Sequence, residues 1–171
     1  YFYMNFEGPE VEKVKELHPL LELFDFVVYH ENLMMRGMML AGYMHRQDGG
    51  TMFVFDDMFL KLSHQTQLFV ILHELGHLKH RHLLIGNGDE INMDYKRNIH
   101  DEHEADMFAL EKLGAAVTIS ALKEVLHMSA TIVPNKAVLI IINMLSFEVH
   151  KRILLAAKAA KQNKQGKEVL V

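Results

Sequence analysis

The spacing of apolar residues along the chain predicts that most of it is helical. Apolar positions recur every three to four residues in five stretches, which is the periodicity of an α-helix with one buried face. The predicted helices cover residues 10–24, 67–84, 101–112, 118–128 and 135–161. Pro19 is expected to bend the first helix, and Asp101 and Gly114 are expected to mark the start and end of the third. The C-terminal half should therefore be helical.

The segment before residue 67 shows a different pattern, which is typical of short strands. Residues 26–30 and 51–55 are rich in β-branched and aromatic side chains, and residues 34–44 form a third candidate strand. Asp48-Gly49-Gly50 is a turn signal directly before the last of these strands. We therefore predict an α+β fold with a small antiparallel sheet ahead of the second helix, in a single domain of residues 1–162. Residues 163–171 are expected to form a frayed tail.

Composition narrows the possible functions. Half of the 171 residues are apolar and the formal net charge is −4, so nucleic acid is not an expected partner. The chain has no cysteine, so any metal must be held by histidines and carboxylates. The apolar run of residues 137–142 is too short to span a membrane, and no signal peptide is visible. These features favour an intracellular, cytoplasmic protein.

Candidate chemistry lies in the second predicted helix, which contains the pattern His73-Glu74-Leu-Gly76-His77. Residues four apart lie on one face of a helix, so His73 and His77 can grip one metal ion. Glu74 can reach a water molecule on that ion without binding the ion, which is the arrangement that metal-assisted hydrolysis requires. Glycine lowers helix stability, so Gly76 indicates that another backbone passes close to the site.

A catalytic zinc ion needs a third protein ligand as well as an open position for water. The next helix carries the candidates in His100-Asp-Glu-His-Glu-Ala-Asp106. Glu102 and Asp106 are four apart and share a face, so Glu102 could bind the metal while Asp106 orients an imidazole. His103 and Glu104 remain competing ligands, although helical geometry points them elsewhere.

These motifs resemble those of the gluzincin metallopeptidases, in the family of the CAAX prenyl proteases, HtpX and the small minigluzincins. The resemblance covers residues 51–113, where H-E-x-x-H is followed by His82 and then by E-x-x-A-D at Glu102–Asp106. It implies a zincin-like fold, with the sheet packed on an active-site helix and a glutamate helix. It also implies Zn²⁺ bound by His73, His77 and Glu102, with Asp106 supporting a ligand.

A weaker similarity concerns His150-Lys-Arg-Ile153, which is similar to the H-P-x-x-x-x-R-I region of the same family. It implies that His150 or Arg152 stabilises the transition state, although the proline is missing and the spacing differs. Tyr95 and His127 are further candidates for that role. The prenyl proteases and HtpX are membrane enzymes, whereas this sequence has no predicted span, so their membrane substrates are not expected here.

A second resemblance leads to the regulatory gluzincins of the ImmA/IrrE type, which also combine H-E-x-x-H with a Glu-Ala helix. Their members usually continue F-A-x-x-L-L-x-P. Here Phe108-Ala109 and Leu113 match that pattern, and the proline is absent. A regulatory metalloprotease of this type is therefore an alternative interpretation.

The preferred hypothesis is a zinc-dependent endopeptidase that acts on a peptide or protein substrate. Water would occupy the fourth position on Zn²⁺, and Glu74 would take its proton and pass it to the leaving amine. The strand of residues 51–55 is a candidate edge for pairing with an extended substrate. Two rivals remain: a zincin-fold binding module without catalysis, which has no need of Glu74, and a toxin-type or phage-type effector protease with the same chemistry.

Overall fold

The computed structural model describes residues 4–31, 40–46, 48–80, 99–131 and 151–162. Within these residues a helix, a 3₁₀ helix and three strands come first, and the elements that follow them are helices. The elements in chain order are α1 (Pro9–Leu17), the 3₁₀ helix Pro19–Leu23, β1 (Phe26–Tyr29), β2 (Ala41–His45), β3 (Thr51–Phe55), α2 (Asp57–Leu60), α3 (His64–Lys79), α4 (Ile99–Leu113), α5 (Ala115–Thr131) and α6 (residues 151–162). The predicted α+β class is confirmed.

The three strands form a mixed sheet in the order β1-β3-β2. β2 and β3 are antiparallel and are joined by a tight turn, in which the N–H of Arg46 donates to the carbonyl of Gly50 over 2.7 Å. β1 and β3 are parallel, with Phe26 opposite Met52. The expectation of a wholly antiparallel sheet was therefore wrong for this pair. The physical reason is that β3 lies between β1 and β2, with Tyr29 and Ala41 both opposite Phe55. β2 therefore starts at the end of the sheet at which β1 stops and runs back, and β3, which is antiparallel to β2, is parallel to β1.

One face of the sheet packs against the helices to form the main core. Phe53, Phe55 and Phe59 meet there with ring centroids 5.6–6.3 Å apart, and Ile71 of α3 is fully buried among the same cluster. α3 is buried along most of its length, from Thr66 to His77. Apolar burial of this extent stabilises the fold by about 25 cal/mol for each Å² removed from water, which holds α3 against the sheet.

Glu124 and His18, which are distant from α3 in sequence, form hydrogen bonds with residues at the N-terminal end of this helix. Glu124 of α5 accepts hydrogen bonds from the N–H of Ser63 at 2.7 Å and from its Oγ at 2.8 Å. Gln67 donates to the carbonyls of Phe59 and Leu62 and accepts from Nε2 of the buried His18 at 2.7 Å. These bonds fix where α3 starts, and with it the position of the residues that follow along the helix.

The helices match the sequence prediction in order but differ at their ends. α1 stops at Leu17, where Pro19 begins a separate 3₁₀ helix and not a bend. α3 starts at His64, because Ser63 caps it by accepting from the N–H of Thr66, and it ends at Lys79. α4 includes Asp101 within its first turn, and it ends before Gly114, whose φ of +83° is left-handed.

Several predictions fall partly or wholly outside the described residues. They concern residues 34–39 of the strand predicted over 34–44, the end of the second helix at 81–84, the start of the last helix at 135–150, and the tail of residues 163–171. Of the last predicted helix, residues 151–162 are helical as expected. None of the helices among the described residues is both long and apolar enough to cross a membrane.

Candidate metal centre

α3 places two imidazoles on one face, where they meet in the interior. His73 and His77 are only 5% and 8% exposed, and their ring centroids are 4.6 Å apart with the rings nearly perpendicular. Their Nε2 atoms lie 3.0 Å from each other. The four-residue spacing in a regular helix brings these two nitrogens together, as local geometry requires.

α4 supplies a carboxylate to the same point. Oε2 of Glu102 lies 3.2 Å from Nε2 of His73, and Oε1 lies 3.4 Å from Nε2 of His77. Glu102 is 4% exposed, so the carboxylate is enclosed together with the two imidazoles. Three potential ligand atoms from two helices therefore converge on one small volume.

Gly76 allows the two helices to approach this closely. A Cβ at this position would lie 2.9 Å from Cα of Ala105 and 3.1 Å from both the carbonyl oxygen of Ala105 and Cβ of Phe108. The backbone of α4 therefore passes directly against Gly76, as predicted for a second backbone near the site. A side chain here would push α4, and Glu102 with it, away from the histidines.

The donor set fits a divalent transition metal. Among the residues that the structure describes, His73, His77 and Glu102 are the one group of three whose ligand atoms all lie within 4.8 Å of one another. Tetrahedral zinc has bonds of about 2.0–2.2 Å, which places its ligand atoms roughly 3.3–3.6 Å apart. The two Nε2 atoms lie 3.0 Å apart, and each has an oxygen of Glu102 at 3.2 or 3.4 Å, which is close to this spacing. The buried group is able to bind a metal ion.

A second layer of polar contacts lies behind His73. Oδ1 of Asp106 is 2.9 Å from Nδ1 of His73, so Nδ1–H donates to this carboxylate and Nε2 is left to face the centre. Arg152 of α6 donates to the same carboxylate twice, from Nε to Oδ2 and from Nη2 to Oδ1, each over 2.7 Å. Nη1 of Arg152 lies 3.5 Å from Oε2 of Glu102.

The electrostatics of the centre favour positive charge. Burial lowers the pKa of His73, but the hydrogen bonds that its ring donates to Asp106 and Glu102 outweigh this effect and raise that pKa to about 9. Burial likewise disfavours ionised Asp106, yet Arg152 and His73 hold the pKa of its carboxyl below the ordinary value. The pKa of Arg152 is raised despite burial, because Asp106, Glu102 and Glu74 surround it. A pocket with this field suits a cation.

Glu74 lies in the same buried region and is 3% exposed. Its Oε2 atom has no hydrogen-bond partner among the described residues. An enclosed carboxylate oxygen without a donor is energetically costly, and a catalytic role is one physical explanation for such an atom. This oxygen can accept a proton or a hydrogen bond from a molecule that enters the centre.

The remaining candidates lie elsewhere or outside the described residues. Glu104 is turned toward His80 and His100, with N–O distances of 3.6 Å to each, and His127 is exposed on α5. His103 is half-buried on α4 and is not part of the converging group. His150, Tyr95 and His82 lie outside the described residues.

The contact between Arg152 and Asp106 was not foreseen from the sequence. The two residues are 46 positions apart, and no local pattern relates them. The available signal was an arginine among apolar residues in a predicted helix, in the run Arg-Ile-Leu-Leu-Ala-Ala from residue 152. Such an arginine needs a buried anionic partner.

A small α+β fold in which two helices join His, His and Glu in one buried group defines a metallopeptidase-like protein. The family model described as the IrrE N-terminal-like domain matches residues 44–139, more than half of the chain. The chain belongs to this peptidase family. No curated protein and no solved structure shows significant similarity to it. The match supports the predicted metallopeptidase class and the IrrE-type alternative, and it does not extend to the CAAX prenyl protease, HtpX and minigluzincin assignment.

Proposed function

We propose that this protein is a zinc-dependent endopeptidase in which His73, His77 and Glu102 hold the metal and Glu74 is the general base. The observation that carries the proposal is the convergence of three ligand atoms within 4.8 Å of one another, in a family of peptidases. Oε2 of Glu74 has no hydrogen-bond partner within the part of the chain that the structure describes, which supports a catalytic site over a purely structural metal, because a structural metal has no need of a base.

The chain's own residues have separate tasks in this mechanism. Zn²⁺, when bound, supplies Lewis-acid polarisation of a peptide carbonyl and makes water easier to deprotonate. Oε2 of Glu74 accepts the proton of the attacking water and then delivers it to the amine nitrogen as the C–N bond breaks. The enclosed walls around Glu74 and Glu102 exclude bulk water, which strengthens these interactions. Water and peptide are thereby converted to a carboxylic acid and an amine.

The edge on which an extended substrate could pair differs from the predicted one. β3 (Thr51–Phe55) is the central strand, because β1 and β2 occupy its two sides, so it has no free edge for a substrate. Among the described residues β2 pairs only with β3, and it also contacts α3. The outer side of β2 is therefore our proposed position for the substrate backbone.

Zinc content and peptidase activity of matched variants test the proposal. Wild type and Glu104→Ala are expected to bind one zinc ion per chain, whereas Glu102→Ala is expected to lose it. Glu104 is the control because it lies on α4 near Glu102 but contacts His80 and His100. Glu74→Gln should retain zinc and lose turnover of casein or of the chain itself. Wild type without zinc after gentle purification would refute the proposal, and zinc retained in Glu102→Ala would assign the third ligand to another residue.

The family match favours a narrower form of the same function, a regulatory protease of the IrrE type that cleaves a dedicated protein. This form predicts that the protein binds zinc through Glu102 but does not cleave casein. It also predicts that wild type cleaves one protein in a whole proteome and that Glu74→Gln cleaves none. Zinc binding with no cleavage in either assay would instead favour a zincin-fold binding module. We also infer an intracellular location, on the basis of the cysteine-free sequence.

A further inference from the structure

α6 brings a guanidinium group to the outer layer of the candidate metal centre. The side chain of Arg152 is only 15% exposed, and it contacts both oxygens of Asp106 through two different nitrogens over 2.7 Å. A paired contact of this kind fixes both the position and the rotation of a carboxylate, unlike a single bond from an ammonium group. Asp106 in turn faces Nδ1 of His73 at 2.9 Å.

The direction of these donors determines what Arg152 can do. Nε and Nη2 point at Asp106, and Nη1 faces Glu102 at 3.5 Å. Nη2 is also 3.5 Å from Nδ1 of His73, which is explained by both nitrogens donating to Oδ1 of Asp106. All three nitrogens of the guanidinium therefore face protein carboxylates. A group that stabilises a transition state must instead aim a donor at the place where the substrate's charge develops.

We propose that Arg152 is a positioning residue, which clamps Asp106 so that His73 holds its metal-binding orientation. The inference rests on the proposed function, since it concerns the same centre. It also means that the centre depends on a residue beyond the matched domain, which ends at residue 139. α6 thereby becomes part of the metal site through a layer of contacts that does not touch the metal.

Metal affinity and Co²⁺ absorption test this role without any measurement of activity. Loss of an outer partner of a ligand typically weakens metal binding by about 10- to 100-fold, and we expect this range for Arg152→Gln, with shifted Co²⁺ bands. Arg152→Lys keeps the positive charge but loses the paired donors of the guanidinium group, so its metal affinity should lie between those of Arg152→Gln and wild type. The exposed Lys158 on α6 provides the control, and Lys158→Gln should bind Zn²⁺ and Co²⁺ as wild type does.

A double variant keeps the test decisive if Arg152→Gln does not fold, because Asp106→Asn removes the buried charge that Arg152 contacts most closely. If Arg152 acts through Asp106, adding Arg152→Gln to Asp106→Asn should change Zn²⁺ affinity by no more than about twofold. A further tenfold loss of Zn²⁺ affinity when Arg152→Gln is added to Asp106→Asn would overturn the inference. The inference would also be overturned if Arg152→Gln alone had wild-type metal affinity and a wild-type Co²⁺ spectrum but a low kcat. Wild type that binds no metal would refute the proposed function itself, whereas unchanged affinity in Arg152→Gln refutes only the clamp.

Discussion

Under the proposed function, replacing Gly76 by alanine should weaken zinc binding more than it weakens the fold. The added Cβ would lie 2.9 Å from Cα of Ala105 and 3.1 Å from Cβ of Phe108. Carbon atoms pack best about 3.5–4.0 Å apart, so α3 and α4 must separate by roughly 0.6–1.1 Å at this point. The atoms in the way belong mainly to the backbone of α4, so no rotamer change can relieve the contact.

The effects on stability and on metal affinity can be separated. Overpacking costs about 1–3 kcal/mol, and alanine regains about 1 kcal/mol of helix propensity over glycine, which leaves a net loss of about 0–2 kcal/mol. Glu102 lies one turn before Ala105 on α4, so its carboxylate moves with the helix. Metal–ligand distances tolerate about 0.2 Å, and we therefore expect zinc affinity to fall about tenfold or more.

The assay is a chelator competition for Zn²⁺ together with denaturant unfolding of the metal-free protein. Gly114→Ala is the matched control, since Gly114 has a φ of +83° and nothing within 4 Å of its added Cβ. Backbone strain should lower its stability by roughly 1–2 kcal/mol, with zinc affinity unchanged. Wild-type zinc affinity in Gly76→Ala would refute the argument that this glycine sets the distance between Glu102 and the histidines.

Two further predictions concern the ends of helices. Glu124→Gln should lower stability by about 1 kcal/mol, because its carboxylate accepts from Ser63 and Thr66 at the start of α3. Burial raises the pKa of Glu124, but these bonds outweigh this effect and hold that pKa below its ordinary value of 4.5. The stabilisation is therefore present above pH 4.5 and is lost on further acidification. The unfolding curves of Glu124→Gln and wild type should converge at low pH, and a gap that stays constant with pH would contradict the assignment. Asp56→Ala should lower the free energy of unfolding in urea by about 1 kcal/mol, since Asp56 caps α2 by accepting from the N–H of Phe59. Asp56→Asn keeps an acceptor and should lower the free energy of unfolding less. Equal losses of stability in the two variants would exclude the cap as the cause.

Features that depend on neighbours along the chain were predictable. The strand Thr51–Phe55 was predicted with its correct ends, since its alternation and the preceding turn are local signals. The start of α3 was missed by one turn, because Ser63 and Glu124 rather than an apolar stripe decide it. The parallel pairing of β1 with β3 could not be derived from their composition, because either orientation buries the same side chains.

The sequence alone places His73 and His77 on one helix face, because about four residues complete a turn of any α-helix. It also marked Gly76 as a place where another backbone must pass. The identity of that backbone, and the distance of Glu102 from the histidines, depend on how the helices pack against each other. The hydrogen bonds from Arg152 to Asp106 likewise depend on the tertiary structure. These contacts join α3, α4 and α6. Their distances depend on how the surfaces of the packed helices fit together, which the spacing of residues within one helix does not determine.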